Sequence, residues 1–293
     1  MSKRHQFIKS LIGVLKHNRD GSHVTQANRR QQLVQMLHQL YDAGYQLEHI
    51  CYIKQRHVRY LVQHWQTEQK STATIKNRLS NLRWLMRKIN REVVVPSNTD
   101  LGIPKRVYLT NADKSYCLPD GDLDKITDRF VQLSLRGQQL FGLRFEESLK
   151  LQPYIADGGD YLYIKNSWSK GGRERIIPIL NEAQRAWLEE CKAFVRYKQN
   201  SLIPQEVTYK SHRRYVIHCC ERAGIHKRHG LRHQYTQQRY RSITGWDCPA
   251  KGGCPHRQLP RALKSLDRAA RLQVSQELGH SRIDGITSVY LGR

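Results

Sequence analysis

Close to the end of the sequence a histidine and a tyrosine stand ten residues apart, His280 in "ELGH" and Tyr290 in "SVYLGR". Upstream, "GLRFEE" supplies Arg144 with Glu147 three residues on, "SKGGRERIIPI" supplies Lys170 just before Gly171 and Gly172, and "HGLRH" supplies His229 and Arg232. A tyrosine hydroxyl can attack phosphorus, arginine forks can hold the charge on non-bridging oxygens at any working pH, and lysine or histidine can protonate a departing oxygen. His229 and Arg232 fall on one helical turn and can face the same phosphate. A lysine at a hairpin tip can reach a leaving oxygen from the side. Together these side chains would cut a phosphodiester without a metal, and no carboxylate cluster in the sequence offers the metal-assisted route.

Each residue also has a plainer reading. A tyrosine near a terminus usually packs, Arg144 and Glu147 can be an i, i+3 ion pair, His229 can be a solvated histidine of a basic loop, and Lys170 an ordinary turn lysine. What separates the chemical reading from the plain one is the order in which the motifs follow one another.

The charge points the same way. Fifty Lys and Arg against 25 Asp and Glu give a formal +25, spread along all 293 residues. Such an excess repels itself unless a polyanion neutralises it, and nucleic acid is the commonest polyanion for a basic chain. A membrane surface would instead call for an anchor or an amphipathic basic helix. The apolar stretch "FIKSLIGVL" is interrupted by Lys9 and is followed by neither a cleavage site nor a span of about 18 apolar residues. The expected location is therefore cytoplasmic, at the bacterial nucleoid, with no membrane partner. Seven cysteines, odd in number, irregular in spacing and with Cys219 and Cys220 adjacent, read as reduced thiols. Cys248, Cys254 and His256 are spaced C-x5-C-x-H, which matches no standard zinc finger, so no metal is expected.

The elements that would position these residues can be read from periodicity. From Ser22 to about Glu92 the pattern is helical, with Leu33, Leu37 and Leu40 before Gly44, then Val58, Leu61, Val62 and Trp65 at i, i+3, i+4, i+7. The last helix of this bundle begins at "STATIKNRL", capped by Ser71 or Thr72, with Ile75, Leu79, Leu82 and Ile89 as its buried stripe. Its other face carries Lys76, Arg78, Arg83, Arg87 and Lys88 with no acid among them, which suits a phosphate backbone. Trp65 and Trp84 lie on apolar faces and are expected in the core. Residues 1–93 are thus expected to form a helical DNA-binding domain, 94–118 a linker with two prolines and a glycine, and 119–293 a second domain. The second domain is expected to be mainly α with a small β-hairpin turning at Gly171 and Gly172, with an inserted Gly- and Pro-rich loop at about 242–266.

Arginine with an acid three residues on, a hairpin lysine, H-x-x-R, a histidine in "LGH" and a tyrosine follow one another in the order of the tyrosine recombinase, or phage integrase, family, which the sequence resembles from about Asp120 to Tyr290. The "STATIKNRLSNLRWL" bundle looks like the family's SAM-like core-binding domain. The likeness is greatest to integrases of prophages and integrative mobile elements, which end in "YLGR" after an "LGH" helix and carry a loop like Arg239 to Trp246. The resemblance implies an α+β fold whose two domains clamp DNA, and a site-specific recombinase that integrates or excises a mobile element. Tyr290 would form a 3′-phosphotyrosyl bond and release a 5′-hydroxyl, with neither metal nor ATP as cofactor. Arg144 and Arg232 would clamp the phosphate, Lys170 would protonate the 5′ oxygen, and His229 would assist proton transfer or position the phosphate. His280 would donate a hydrogen bond to a non-bridging oxygen, and Glu147 would orient its neighbours. The implied partners are double-stranded DNA bearing specific recombination sites, three further copies of the chain in a homotetramer on paired sites, and accessory DNA-bending or directionality proteins.

The sequence departs from the family pattern in three ways. The interval from His280 to Tyr290 is one residue longer than the familiar one, which Gly285 could absorb. The interval from Arg232 to His280 is long because of the 242–266 insertion, which could contact DNA or a neighbouring protomer. Only Leu291, Gly292 and Arg293 follow the tyrosine in this sequence, so that coupling between protomers is expected to use another surface than a C-terminal helix. Two other activities share these residues: a DNA-binding protein of the same fold with impaired catalysis, and a type IB topoisomerase-like enzyme that relaxes supercoils without exchanging partners.

Overall fold

Serine caps start three of the first four helices. Ser2, Ser22 and Ser71 each accept a hydrogen bond from the backbone N–H three residues on, opening α1 (Lys3–His17), α2 (His23–Asp42) and, after α3 (Gln55–Thr67), α4 (Thr72–Lys88). The computed structural model describes residues 2–107, 111–119, 121–169, 171–280 and 287–293, and the chain divides into two units, Met1–Val107 and Tyr108–Arg293. In the first unit the stripes expected from the sequence meet. Leu33, Met36, Leu37 and Leu40 of α2 pack with Val58, Leu61, Val62 and Trp65 of α3 and with Ile75, Leu79, Leu82, Leu85 and Met86 of α4. Phe7 and Leu11 of α1 close the same core, so the "FIKSLIGVL" stretch is the buried face of a surface helix. Trp65 is buried and its indole N–H finds Gln39 Oε1 at 3.0 Å, which removes the cost of hiding the polar end of the ring.

The stretch expected as a linker is packed at both ends. Val95, Leu101 and Ile103 belong to the core of the first unit, and Leu118 to a core of the second. In the second unit the Tyr116 N–H also donates to the Gly230 carbonyl at 3.0 Å. Proline and lost periodicity rule out a helix there, but isolated apolar side chains can still be buried.

The second unit is mostly helical with one two-stranded antiparallel sheet, as the sequence predicts. Its elements are α5 (Arg129–Phe141), α6 (Phe145–Lys150), α7 (Pro153–Ala156), β1 (Tyr161–Ile164), β2 (Arg175–Pro178), α8 (Glu182–Phe194), α9 (Tyr209–Arg222), α10 (His229–Thr244), α11 (Arg261–Glu277) and α12 (Thr287–Leu291). The strands pair Tyr161 with Pro178 and Ile164 with Arg175, and a connection over 165–174 joins them, longer than a tight turn at the two glycines. Leu162, Ile164 and Ile177 face a core built around Phe141, Trp187, Tyr240, Val274, Leu278 and Leu291. α10 packs on α5, α11 and α12 at once, and α11 on β2, so the helix that starts at His229 touches the helices that precede Arg144 and His280 and the one that carries Tyr290. α10 runs on to Thr244 and stops at Gly245 (φ +86°), and Pro260 precedes α11, which leaves 245–260 as the non-helical part of the expected insertion.

Gly142 ends α5 in the left-handed region at φ +59°, and a Cβ there would lie 2.5 Å from the Tyr235 ring. Both features exclude a side chain. Gly142→Ala is expected to destabilise the second unit by about 2 kcal/mol in urea unfolding, the sum of backbone strain and a displaced ring. An unchanged midpoint would contradict this account of the turn.

Candidate active site

A buried carboxylate organises three arginines. Arg144 stands at the N-terminal cap of α6 with Glu147 in its first turn, and Glu147 accepts from the Arg144 backbone N–H at 2.7 Å and from its Nη1 at 2.7 Å. Arg175 opens β2 at an inward position and adds a fork to the same group, Nη1 to Oε1 at 3.0 Å and Nη2 to Oε2 at 2.7 Å. Glu147 is 0% exposed. Burial alone would raise its carboxyl, but the Arg175, Arg232 and Arg144 guanidiniums outweigh that and hold it at about 2.

The C-terminal end of α11 supplies the second anchor. Its last carbonyls have no partner within the helix, and the arginines take them: Arg175 Nε donates to Glu277 O at 2.8 Å, while Arg144 Nη2 and Arg232 Nη2 both donate to Leu278 O, at 3.0 and 2.6 Å. The negative end of the helix dipole therefore faces the cluster. Gly279 follows at φ +70°, where a Cβ would stand 2.9 Å from the Arg175 side chain.

His229 and Arg232 share the first turn of α10, as the H-x-x-R spacing predicts. Arg232 is 1% exposed; its Nη1 donates to the Gly142 carbonyl and its Nε to the Tyr290 hydroxyl at 3.3 Å. Burial lowers its pKa to about 10, which still leaves it charged at neutral pH. Tyr290, 6% exposed, lies under three imidazoles, with ring centroids 4.5 Å from His233, 5.9 Å from His229 and 6.4 Å from His280. Loss of hydration, followed by the charges of Arg232 and Arg144, lowers the pKa of His229 and takes His280 down to about 4. His233 falls to about 4 through loss of hydration and its neighbour His229. Neutral imidazoles donate one N–H each. Among the described residues the Nε2 of His280 is buried without a partner, and a cavity of about 270 Å³ borders His229 and Arg232, lined also by Gln138, Phe145 and Arg228.

Each guanidinium has five N–H donors. Among the described residues Arg232 uses three of them on Tyr290, Gly142 and Leu278, and the Arg144 side chain uses two on Glu147 and Leu278, which leaves two and three that could meet an anion. Three guanidiniums against one carboxylate leave two positive charges, enough to balance the charge that builds on phosphorus during attack.

Of the residues singled out in the sequence, Arg144, Glu147, His229, Arg232, His280 and Tyr290 come together here. Lys170 lies outside the described residues, and so does Gly285 with the rest of 281–286. Sequence reasoning missed Arg175, His233 and Glu277. For Arg175 the signal was a charged residue in register with Ile177 on the inward face of a strand; Glu277, which binds Tyr235 and Arg239, had no comparable signal.

The basic face expected on α4 is divided. Arg78 is 9% exposed and stacks over Trp65, so it belongs to the inner side of the helix. Arg83 bonds the Pro96 carbonyl and Asn98, and Lys88 pairs with Asp20 at 3.7 Å. Lys76 is half-buried and Arg87 exposed. Trp84 is half-buried beneath Arg29, with its indole N–H on Asp20 at 2.8 Å. Among the described residues no group of three or more His, Cys, Asp or Glu could hold a metal, and no helix is long and apolar enough to cross a membrane.

Because the folded Glu147 carboxyl titrates below its unfolded value, its contribution is complete above about pH 4.5 and is lost as pH falls toward about 2. Glu147→Gln is expected to lose about 3 kcal/mol at neutral pH and to show a shallower fall of stability across that window. Parallel wild-type and mutant slopes in acid titration of unfolding would refute the assignment.

Residues 1–95 match the family described as phage integrase, N-terminal. No curated protein matches the chain. Among solved structures the chain is similar to a dimer of lambda integrase bound to a COC′ core site, with 16% identity, TM-score 0.63, and 97% of this chain and 95% of that one covered. A lambda integrase tetramer bound to a Holliday junction matches with 15% identity and TM-score 0.57, over 96% of this chain and 77% of that one. The integrase of the Tn1549 transposon in complex with circular intermediate DNA matches with 15% identity and TM-score 0.54, over 100% and 96%. At such identities the likeness is one of fold. The chain has the tyrosine recombinase fold, with an N-terminal domain of the phage integrase type.

Proposed function

We propose that the protein is a site-specific DNA recombinase, the integrase of a mobile element, which cuts and rejoins DNA through a 3′-phosphotyrosyl intermediate. The observation that carries this reading is the Tyr290 hydroxyl held 3.3 Å from Arg232 Nε, in a guanidinium whose Nη2 shares the Leu278 carbonyl with Arg144. A phosphate held by the free N–H groups of Arg144 and Arg232 would sit beside the nucleophile. The Tyr290 oxygen would then bond to phosphorus as the bond to the 5′ oxygen breaks, the phenolic proton passing to the neutral imidazole of His229 and Lys170 giving a proton to the 5′ oxygen. Neutral His280, with its free Nε2, would donate to a non-bridging oxygen, and His229 would position the phosphate. The energy of the broken ester is kept in the phosphotyrosyl bond, so rejoining requires neither metal nor ATP.

The chain is proposed to act on paired DNA sites as a homotetramer, a reading supported by the lambda integrase tetramer bound to a Holliday junction, and to do so at the cytoplasmic nucleoid with accessory DNA-bending or directionality proteins. On α4, exposed Arg87 and Lys88 and half-buried Lys76 are the cations best placed to meet a backbone phosphate.

Incubating the protein with nicked duplexes from DNA flanking the gene, then denaturing, is expected to yield a protease-sensitive adduct with wild type and none with Tyr290→Phe, which should still bind. Specific binding without any adduct would leave a DNA-binding protein, and relaxation of plasmids lacking a special site would indicate a topoisomerase. Arg232→Lys keeps the charge but loses the fork and is expected to slow adduct formation by about 100-fold or more. A rate within a few fold of wild type would remove Arg232 from the phosphate.

A further inference from the structure

From Tyr290 onward the chain is fastened at three points by side chains that the phosphate chemistry does not use. The Tyr290 carbonyl accepts from Gln237 Nε2 at 3.2 Å, the Gly292 carbonyl from Arg271 Nη1 at 3.0 Å, and the Arg293 N–H donates to Asn111 Oδ1 at 3.0 Å. Gly292 takes φ +78°, and a Cβ there would meet the Ala250 nitrogen at 2.7 Å and Pro249 Cβ at 3.0 Å. The turn over Pro249–Lys251, part of the segment between α10 and α11, is thus in contact with the backbone two residues after the tyrosine. Lys251 pairs with Asp113 at 2.9 Å, and Asp113 accepts in turn from the Gln237 amide that holds the Tyr290 carbonyl.

Arg271 is itself held. Its Nε donates to both oxygens of Asp267, at 3.0 and 3.1 Å, and Asp267 is 1% exposed. That carboxylate also accepts from the Tyr240 hydroxyl at 2.5 Å and meets His256 Nδ1 at 2.6 Å, while Trp246 Nε1 donates to Tyr240 at 3.1 Å. An ionised carboxylate this deep is stable only with all its partners in place, so Arg271 cannot swing away without stranding a buried charge. Two of the groups that complete the network, His256 and Trp246, come from the 245–260 segment. The segment therefore braces a carboxylate, the carboxylate fixes an arginine, and the arginine fixes the Gly292 carbonyl.

We propose that Asp267 and Arg271, braced by the 245–260 segment, form a latch on the backbone just past Tyr290, and that Arg271 is a positioning residue for the cleavage proposed above, on which this role rests. Arg271 does not touch the phosphate. It sets where the nucleophile stands.

Two readouts on the full chain test the latch. The first is amide hydrogen exchange without DNA, in wild type, Arg271→Met, Arg271→Lys and His256→Ala. Arg271→Met is expected to speed exchange over 287–293 while α5 stays protected, with Arg271→Lys in between. The second is the rate of covalent adduct formation on the nicked duplexes, with affinity measured by gel shift. Arg271→Met should cost about 100-fold in rate with affinity changed less than about 3-fold, because a nucleophile misplaced by about an ångström loses that much. A folded Arg271→Met with wild-type exchange over 287–293, or with wild-type cleavage, overturns the proposal. Should Arg271→Met fail to fold, half-exposed His256→Ala decides: faster exchange over 287–293 supports the latch, and unchanged exchange overturns it. If wild type itself forms no adduct, the functional reading fails and exchange alone judges the latch.

Discussion

Three guanidiniums cannot be gathered in a protein interior without an anion among them, and Glu147 is that anion. Fully buried, it takes paired bonds from Arg175 and from Arg144 and lies close enough to Arg232 to feel its charge. The desolvation it suffers is offset only because all three cations are present, and they are tolerated only because it is there. The cluster is therefore one unit. Its remaining charge and donors mark where a phosphate would sit in the proposed reaction, and the helices packed around it hold Tyr290 beside that place.

The aiming is done by the ends of elements. Regular structure leaves polar groups unpaired at its termini, and here those groups do the holding: the N-terminal cap of α6, the first turn of α10, the last carbonyls of α11 and the first residue of β2 converge. Helix packing brings the ends together. α10 lies against α5, α11 and α12, and Leu278 and Leu291 are part of the core behind the site. The glycines at 142 and 279 let the chain turn at points where the Tyr235 ring and the Arg175 side chain leave no room for a Cβ.

Much of this was legible in the sequence, for physical reasons that can be named. Helical periodicity placed the stripes of α2, α3 and α4, because burial of one face sets the spacing, and H-x-x-R placed His229 and Arg232 on one turn because three residues nearly complete it. Glu147 was expected only to orient its neighbours. Local pattern could not reveal that it is the pivot, since its partner Arg175 lies 28 residues away and meets it only when β2 docks beside α6. Arg78 was misleading in the opposite sense. Its charge suggested solvent and DNA, yet a guanidinium can stack on an indole, and Trp65 takes it into the bundle. The glycines and prolines of the 242–266 stretch suggested a loop, of which 242–244 and 261–266 belong to α10 and α11, and that the rest reaches the residues after Tyr290 depends on the tertiary course of those helices, which composition does not encode.

Tyr290 is proposed as the nucleophile of this cluster. The most direct test is to digest the covalent complex formed on nicked DNA and identify by mass spectrometry which residue carries the nucleotide. A 3′-phosphate ester on Tyr290 alone, with a 5′-hydroxyl on the released strand, is expected. A nucleotide on any other of the 15 tyrosines, or a 5′-phosphate linkage, would contradict it.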